Sequence, residues 1–322
     1  MPELSVIIPT FNNRATLHKT LLTVFDQTLP HDRYEIVVLD DGSTDGTEEM
    51  VRALPSPVSL RYHWQSNQGR AAARNAGSRL ARGRILLYLD SDILATPDLL
   101  QRHHQYYQEH QGPIGVQGRT MVYPASKVTP FMRTKELFPD LTRRKRTDLS
   151  PYLFYTRNVS IRAEDLWAVG GFDESFPGYG WEDTELGLRL HVHGVRLFYE
   201  AAAIGYHHEV ETLERTCAKV YQAGIGAIYF WRKHHRRHGL GFFLEIHPAL
   251  LPLKWLVYRT GVLTALIRQI LPWAEHGERI WICSECYNYL IWESYYAGVI
   301  ATLNSNGQKV PATRERPVSR AR

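Results

Sequence analysis

The stretch RILLYLDSDIL, Arg84–Leu94, decides how this chain is read. Ile85 to Leu89 form an unbroken apolar run, the pattern of a strand buried on both faces of a parallel sheet. Asp90 and Asp92 follow at once, with Ser91 between them. Open α/β sheets bind ligands just beyond the C-terminal ends of their strands, so these carboxylates stand where a ligand is expected. Two like charges that close repel unless a cation lies between them or one carries a proton. An Asp-Ser-Asp turn that caps the helix starting near Pro97 is the bland alternative, and the fragment alone leaves both readings open.

Working outward, the same design recurs. LSVIIPTFN (Leu4–Asn12) is an apolar strand ended by polar residues, followed by an amphipathic helix over Arg14–Gln27. YEIVVLDDGSTDGTEEM (Tyr34–Met50) repeats it as strand, acidic turn and helix, with Asp40 and Asp41 at the strand end. SLRYHW (Ser59–Trp64) reads as a third strand, and GRAAARNAGSRLARG (Gly69–Gly83) as a helix closed by Gly83. A helix over Asp98–His110 and a strand at Ile114–Tyr123 come next, and strands alternating with helices predict a mostly parallel sheet. Residues 124–155 mix charge, Pro and aromatics without period, as a long loop over a site does. After Arg157 the pattern gives a strand, a short helix, a Gly-rich loop and a helix opening at Glu182-Asp183. Arg196–Glu200 and Ala202–His208 read as two short strands, and the chain beyond Glu209 as helical, with a tail from Asn304 too polar to fold.

Bulk properties narrow the class. The 322 residues, 44% hydrophobic and 22% charged, suit a globular chain with one large domain plus an appendage. A net charge of +5 points to an anionic partner. Cys217, Cys283 and Cys286 make no disulfide framework, and Cys283-x-x-Cys286 lacks a second ligand pair for zinc. The first twenty residues show no secretory signal, and no apolar run reaches about 18 residues, so a cytoplasmic enzyme without a spanning helix is expected. His191 and His193 read as charges at a helix end, and the basic runs Arg143–Arg146 and Arg232–His238 come with no nucleic-acid module.

In a parallel sheet, Asp40-Asp41 and Asp90-x-Asp92 project from one edge. Hard carboxylate oxygens suit Mg²⁺ or Mn²⁺, which bind through one or two carboxylates plus substrate phosphates. The geometry therefore favours a nucleoside diphosphate bridged by metal. Neither a Walker loop nor a GxGxxG after the first strand is present. The Asp-x-Asp also lies too far along the chain for a phosphatase with an aspartyl nucleophile.

The segments SVIIPTFN, VVLDDGSTDGT, NQGRAAARNAG, LLYLDSD, NVSIRAEDLWAVGGFDE and GWEDTELGLRL, in this order between Leu4 and His208, resemble the inverting family-two glycosyltransferases of GT-A fold. The GGFDE…GWED part also resembles galactosyltransferase-type domains. The resemblance implies a Rossmann-like α/β catalytic domain over 1–210, and a helical region over 211–303 and a tail over 304–322 that it does not cover. It implies that Pro9, Thr10, Phe11 and Asp41 hold the nucleotide base, and that Gly69, Arg70 and Arg74 flank base and diphosphate. Asp90 and Ser91 would meet the donor, and Asp92, Asp90 and His207 the metal, with His208 hard to separate from His207. Asp183 would be the general base, with Glu182 beside it and Gly180 and Trp181 at the acceptor. The activity implied is Mn²⁺- or Mg²⁺-dependent transfer from a nucleotide sugar, a UDP-sugar first, to a hydroxyl of a glycan or lipid-linked acceptor. Capping alone would also explain the acids at 182–183, and a core position would explain Trp181.

Two rivals of other classes are a sugar-1-phosphate nucleotidyltransferase and a non-catalytic sugar-nucleotide or glycan-binding module. The first needs a Gly-rich basic loop after the first strand, which PTFNNR is not; the second needs no paired acids at 90–92 and 182–183. From Tyr229 to Leu271, Leu and aromatics alternate with Lys and Arg. These helices would pack on the chain or form a homo-oligomer interface, or else lie peripherally on the inner face of the cell membrane.

Overall fold

The computed structural model describes residues 1–124, 129–134, 141, 149–235, 237 and 239–305. Strands β1 (Leu4–Thr10), β2 (Tyr34–Asp40), β3 (Ser59–Trp64) and β4 (Ile85–Leu89) alternate with helices α1 (Arg14–Phe25), α2 (Thr47–Ala53) and α3 (Arg70–Leu80). There follow β5 (Ile93–Ala95), α4 (Leu99–Glu109), β6 (Ile114–Val122), α5 (Pro130–Thr134), β7 (Asn158–Arg162), α6 (Ala163–Ala168), α7 (Glu182–Val192) and β8 (Arg196–His207). The described elements that follow are helices: α8 (Leu213–His234), α9 (Leu240–Phe243), α10 (Leu251–Thr260), α11 (Val262–His276) and α12 (Ile280–Asn304).

The strands form one sheet in the order β3-β2-β1-β4-β7-β6-β8-β5. Pairing is parallel from β3 to β4, as the alternation of strands and helices predicts. Beyond β4 the sheet turns mixed: β7 runs antiparallel to both β4 and β6, β8 is parallel to β6, and β5 antiparallel to β8. Every residue of β2 and β4 is buried, which accounts for the apolar runs Ile36–Leu39 and Ile85–Leu89. Along β4 the period-two pleat sends Ile85, Leu87 and Leu89 into a core with Leu17, Leu21 and Val24 of α1. Leu86 and Tyr88 face the other core, with Ala71 of α3, Leu166 of α6 and Leu186 of α7. Gly77 brings α3 close to β1, for a Cβ there would stand 2.7 Å from Ile7 Cγ2.

Two expectations change. Arg196–His207 is one strand, not two: its register against β6 jumps between Gly118 and Arg119, whose partners are Glu200 and Ile204. The intervening alanines bulge out, and Glu200 Oε1 accepts a hydrogen bond from Ala202 N at 2.8 Å. Ile93–Ala95, to which the sequence reading assigns no element, form the short strand β5. The long loop expected over 124–155 is described in part, as α5 and a 3-10 turn at Pro151–Leu153. Arg143–Arg146 and the tail beyond Ser305 lie outside the described residues.

The chain divides into two compact units. The first holds the sheet with α1–α4, α6 and α7; the second holds α5, the loop Ser175–Trp181 and the helices from Val210 on. Within the second, α8 and α12 approach closely at Gly224 and Gly298, where a side chain would strike the Tyr295 and Tyr221 carbonyls. Phe131 of α5 meets Tyr287 of α12 edge-on at 5.3 Å.

Candidate active site

The C-terminal edge of the first unit's sheet gathers most of the expected residues. Asp41 follows β2, its N–H donating to Thr10 O at 2.9 Å, and it is buried. Its Oδ1 accepts from Gln65 Nε2 at 2.7 Å and Gln68 N at 2.9 Å, and its Oδ2 from Gly69 N at 2.9 Å. The carboxylate thus shapes the 65–69 turn that leads into α3. Gly69 takes the left-handed φ of +89° that such an entry needs. Pro9 and Thr10 end β1, Phe11 is exposed beyond them, and Arg70 is exposed at the start of α3.

Arg74, one helical turn further, is buried. Its Nη1 donates to Glu182 Oε1 at 2.8 Å, and its Nη2 lies 3.6 Å from Asp90 Oδ1. One guanidinium therefore ties the acid after β4 to the acid that opens α7, residues 92 positions apart in the sequence. Glu182 is buried as well, and its second oxygen, Oε2, has no hydrogen-bond partner. Asp183, half-buried beside it, accepts from Thr184 N through Oδ1 at 2.7 Å. Burial pushes the Asp183 carboxyl up to about 6, and Glu182 pushes the same way, against Arg74, the Thr184 N–H and Arg157. A carboxylate poised there takes a proton more readily than an ordinary aspartate.

On the other side of the Asp-Ser-Asp turn, Asp92 Oδ2 lies 3.3 Å from His207 Nε2. The strand pair that brings them together is β5–β8, in which Ile93 stands opposite His207. His208 is separated from it: its ring lies 3.1 Å from Lys19 Nζ and stacks obliquely on Tyr123, while its N–H donates to Asp92 O. Ser91 Oγ accepts from Asn13 Nδ2 at 2.8 Å, and Ser91 O from Thr20 Oγ1 at 3.0 Å, so α1 fixes the turn. Of the expected metal set, Asp92 and His207 come together, whereas Asp90 turns to Arg74.

Gly180 and Trp181 belong to the second unit. Both take positive φ, +95° and +76°, and at Trp181 this is a strained conformation for a bulky side chain. Trp181 Nε1 donates to Ala223 O at 2.7 Å, and its ring meets Phe243 at 5.6 Å.

Sequence reasoning missed Asn13, Lys19 and Arg157. Arg157 precedes β7, which pairs Asn158 with Leu89, so its carbonyl faces Asp90 N at 3.4 Å. Only the antiparallel β4–β7 pairing reveals that neighbour.

With this geometry in hand, comparison with known proteins is direct. Residues 5–170 match the family described as glycosyl transferase family 2, and residues 146–213 match one described as N-terminal domain of galactosyltransferase. The validoxylamine A glucosyltransferase of Streptomyces hygroscopicus subsp. jinggangensis is 34% identical over 306 residues, covering 85% of this chain and 68% of that protein. Its counterpart from subsp. limoneus is also 34% identical, with 64% of its length covered, so the chain spans about two thirds of these relatives. The chondroitin synthase of Escherichia coli is 28% identical over 239 residues, 64% of this chain and 34% of that one. Among solved structures, the mannosyltransferase PcManGT of Pyrobaculum calidifontis, in complex with GDP-Man and Mn²⁺, superposes with a TM-score of 0.63. It is 20% identical, and the match covers 94% of this chain and 87% of that one. S. aureus TarS 1-349 gives a TM-score of 0.56 at 17% identity, covering 95% and 92%. At these identities the structural likeness is one of fold, and that fold is GT-A. Sequence match, sheet order and the acidic residues at the strand ends agree: the chain belongs to glycosyl transferase family 2 and is a glycosyltransferase.

Proposed function

We propose that this enzyme transfers a hexose from a nucleotide diphosphate sugar to an acceptor hydroxyl with inversion, using Mn²⁺ or Mg²⁺. The observation that carries the reading is the Arg74 bridge between Asp90 and Glu182, which sets the donor-side acid and the Asp183 helix in one frame.

Asp92 and His207 are the residues that would hold the metal. Among the described residues no three or more His, Cys, Asp or Glu side chains close into a cage. A hard divalent cation needs only one or two protein carboxylates when diphosphate and water complete its shell, so this small donor set fits. When bound, the ion neutralises charge on the leaving diphosphate. Asp90 and Ser91 would contact the donor, and Asp41 with the 65–69 turn it shapes, Arg70 and the Pro9–Phe11 backbone would hold base and ribose.

Asp183 takes the proton of the acceptor hydroxyl as its oxygen attacks the anomeric carbon. The C–O bond to the diphosphate breaks, and the nucleoside diphosphate leaves with the electron pair. A single displacement of this kind inverts configuration and needs one base opposite the leaving group. Glu182, neutralised by Arg74, holds the helix start in place; Trp181 and Gly180, just before it in sequence, are the proposed acceptor contacts. A UDP-sugar is the first donor to test and a glycan or lipid-linked sugar the acceptor class. A cytoplasmic location, with peripheral contact at the membrane, is part of this proposal. The nucleotidyltransferase and pure binding readings are not favoured, since the family and the paired acids both speak for transfer.

The test is a thermal-shift screen of UDP-, GDP- and dTDP-sugars with and without Mn²⁺, followed by turnover with oligosaccharide acceptors. One donor class should stabilise the protein only with metal. Stabilisation by every donor equally without metal, and no transfer product, would overturn the reading.

A further inference from the structure

Helices α10 and α11 of the second unit carry an apolar surface that stands exposed among the described residues. No residue of α10 is buried, and Leu253 and Leu256 are exposed. In α11, Val262, Leu263, Leu266, Ile270 and Trp273 are all exposed, Leu266 by 50%. Their spacing confines them to one stripe about 100° wide at the helical period. The side of α11 that does pack is another one: Thr264 Oγ1 donates to Glu293 Oε1 of α12 at 2.9 Å, and Ala274 is buried. The stripe is therefore turned away from the helix that anchors α11. The expectation that these Leu and Trp residues pack within the chain fails for this face.

Its margin is aromatic and basic. The Arg259 guanidinium lies 4.7 Å from the centre of the Trp255 ring, and that of Arg279 lies 3.7 Å from Trp273. The basic groups at this margin are Arg259 and Arg279; Lys254 is paired with Glu245 at 3.1 Å, and Glu275 is turned to Tyr287 of α12. Two copies meeting through this face would set like charge against like charge, whereas an anionic surface complements it. Crossing a bilayer is excluded for the described helices, none of which is long and apolar enough. An apolar stripe with Trp and Arg at its edge suits a helix lying in the plane of the interface.

We propose that the α10–α11 face docks on the surface of an anionic lipid bilayer. The assignment does not depend on which sugar the enzyme transfers. The probe is co-sedimentation of the full chain with vesicles of phosphatidylcholine alone, or with phosphatidylglycerol added, at low and high salt. The chain should pellet with the anionic vesicles at low salt, and each of Arg259→Gln and Arg279→Gln, whose guanidinium groups lie over Trp255 and Trp273, should lower partitioning by about fivefold. Leu266→Asp with Ile270→Asp should abolish it while leaving the melting temperature and any donor-induced stabilisation unchanged, since both side chains are exposed. Equal recovery in the supernatant with both vesicle types would overturn the proposal. So would a wild-type dimer in solution that Leu266→Asp dissociates, because the face would then belong to a second copy.

Discussion

The guanidinium of Arg74 donates to the carboxylate of Glu182 at 2.8 Å, with both side chains buried, and so joins the starts of α3 and α7. Removing one partner of such a pair leaves a buried charge without compensation, which costs roughly 3–5 kcal/mol. Arg74→Met should therefore lower the melting temperature sharply. Arg74→Met with Glu182→Leu should recover much of that loss, because neither charge is then stranded. A single and a double variant of equal stability would show that the bridge is not what orders the two helices.

Asp183→Asn keeps the shape and removes the base, so transfer should fall by about 10²–10⁴-fold with donor affinity nearly unchanged. Calorimetry of donor binding beside a turnover assay separates the two quantities.

The acid limb of the wild-type rate profile should fall near pH 6, where the Asp183 carboxylate takes up a proton. The sign for stability is opposite. A carboxyl whose folded pKa is raised holds its proton more tightly when folded, so it costs stability as pH rises from the ordinary aspartate range through 6. Asp183→Asn should thus melt higher than the wild type at pH 7.5 and lose that advantage at pH 4. A variant that is both inactive and less stable at neutral pH would contradict the assignment of burial and Glu182 as the causes.

Asp92→Ala should abolish metal-dependent donor binding, and chelation of the wild type should reproduce it. Full transfer in excess EDTA would remove the metal from the mechanism.

Asp41→Asn replaces one of two accepting oxygens with an N–H₂ group facing donors already committed to it. The 65–69 turn then loses at least one hydrogen bond to a charged group, worth roughly 1.5–3 kcal/mol. The variant should melt lower and bind donor about tenfold or more weakly in the same titration.

Much of this was legible in the sequence where local chemistry decides. Ile85–Leu89 reads as a buried strand because both faces are covered, and Gly69-Arg70 as a helix start because only glycine takes that φ readily. The reversal of the sheet beyond β4 was not legible, since nothing in Asn158–Arg162 says which edge it will join. For the same reason Arg157 and Asn13 escaped notice: their partners lie across strands and helices distant in sequence. The family resemblance read from the motifs stopped near His208, whereas the relatives align over 85% of the chain. The helical part lacks sharp motifs because its residues are chosen for apolar packing, which many sequences satisfy. Its exposed stripe could not be told from a packed one by periodicity, because both show the same spacing.

The place of β8 in the sheet sets a timetable for synthesis. Among the described residues it is the last strand made, yet it lies between β6 and β5, which are made about a hundred residues earlier. Until it arrives, those two strands show each other open edges, a template for wrong pairing with other chains. Asp92 cannot meet His207 before that gap closes. The proposed metal site would thus be the final product of assembly, and donor binding by a growing chain would report the moment its sheet is complete.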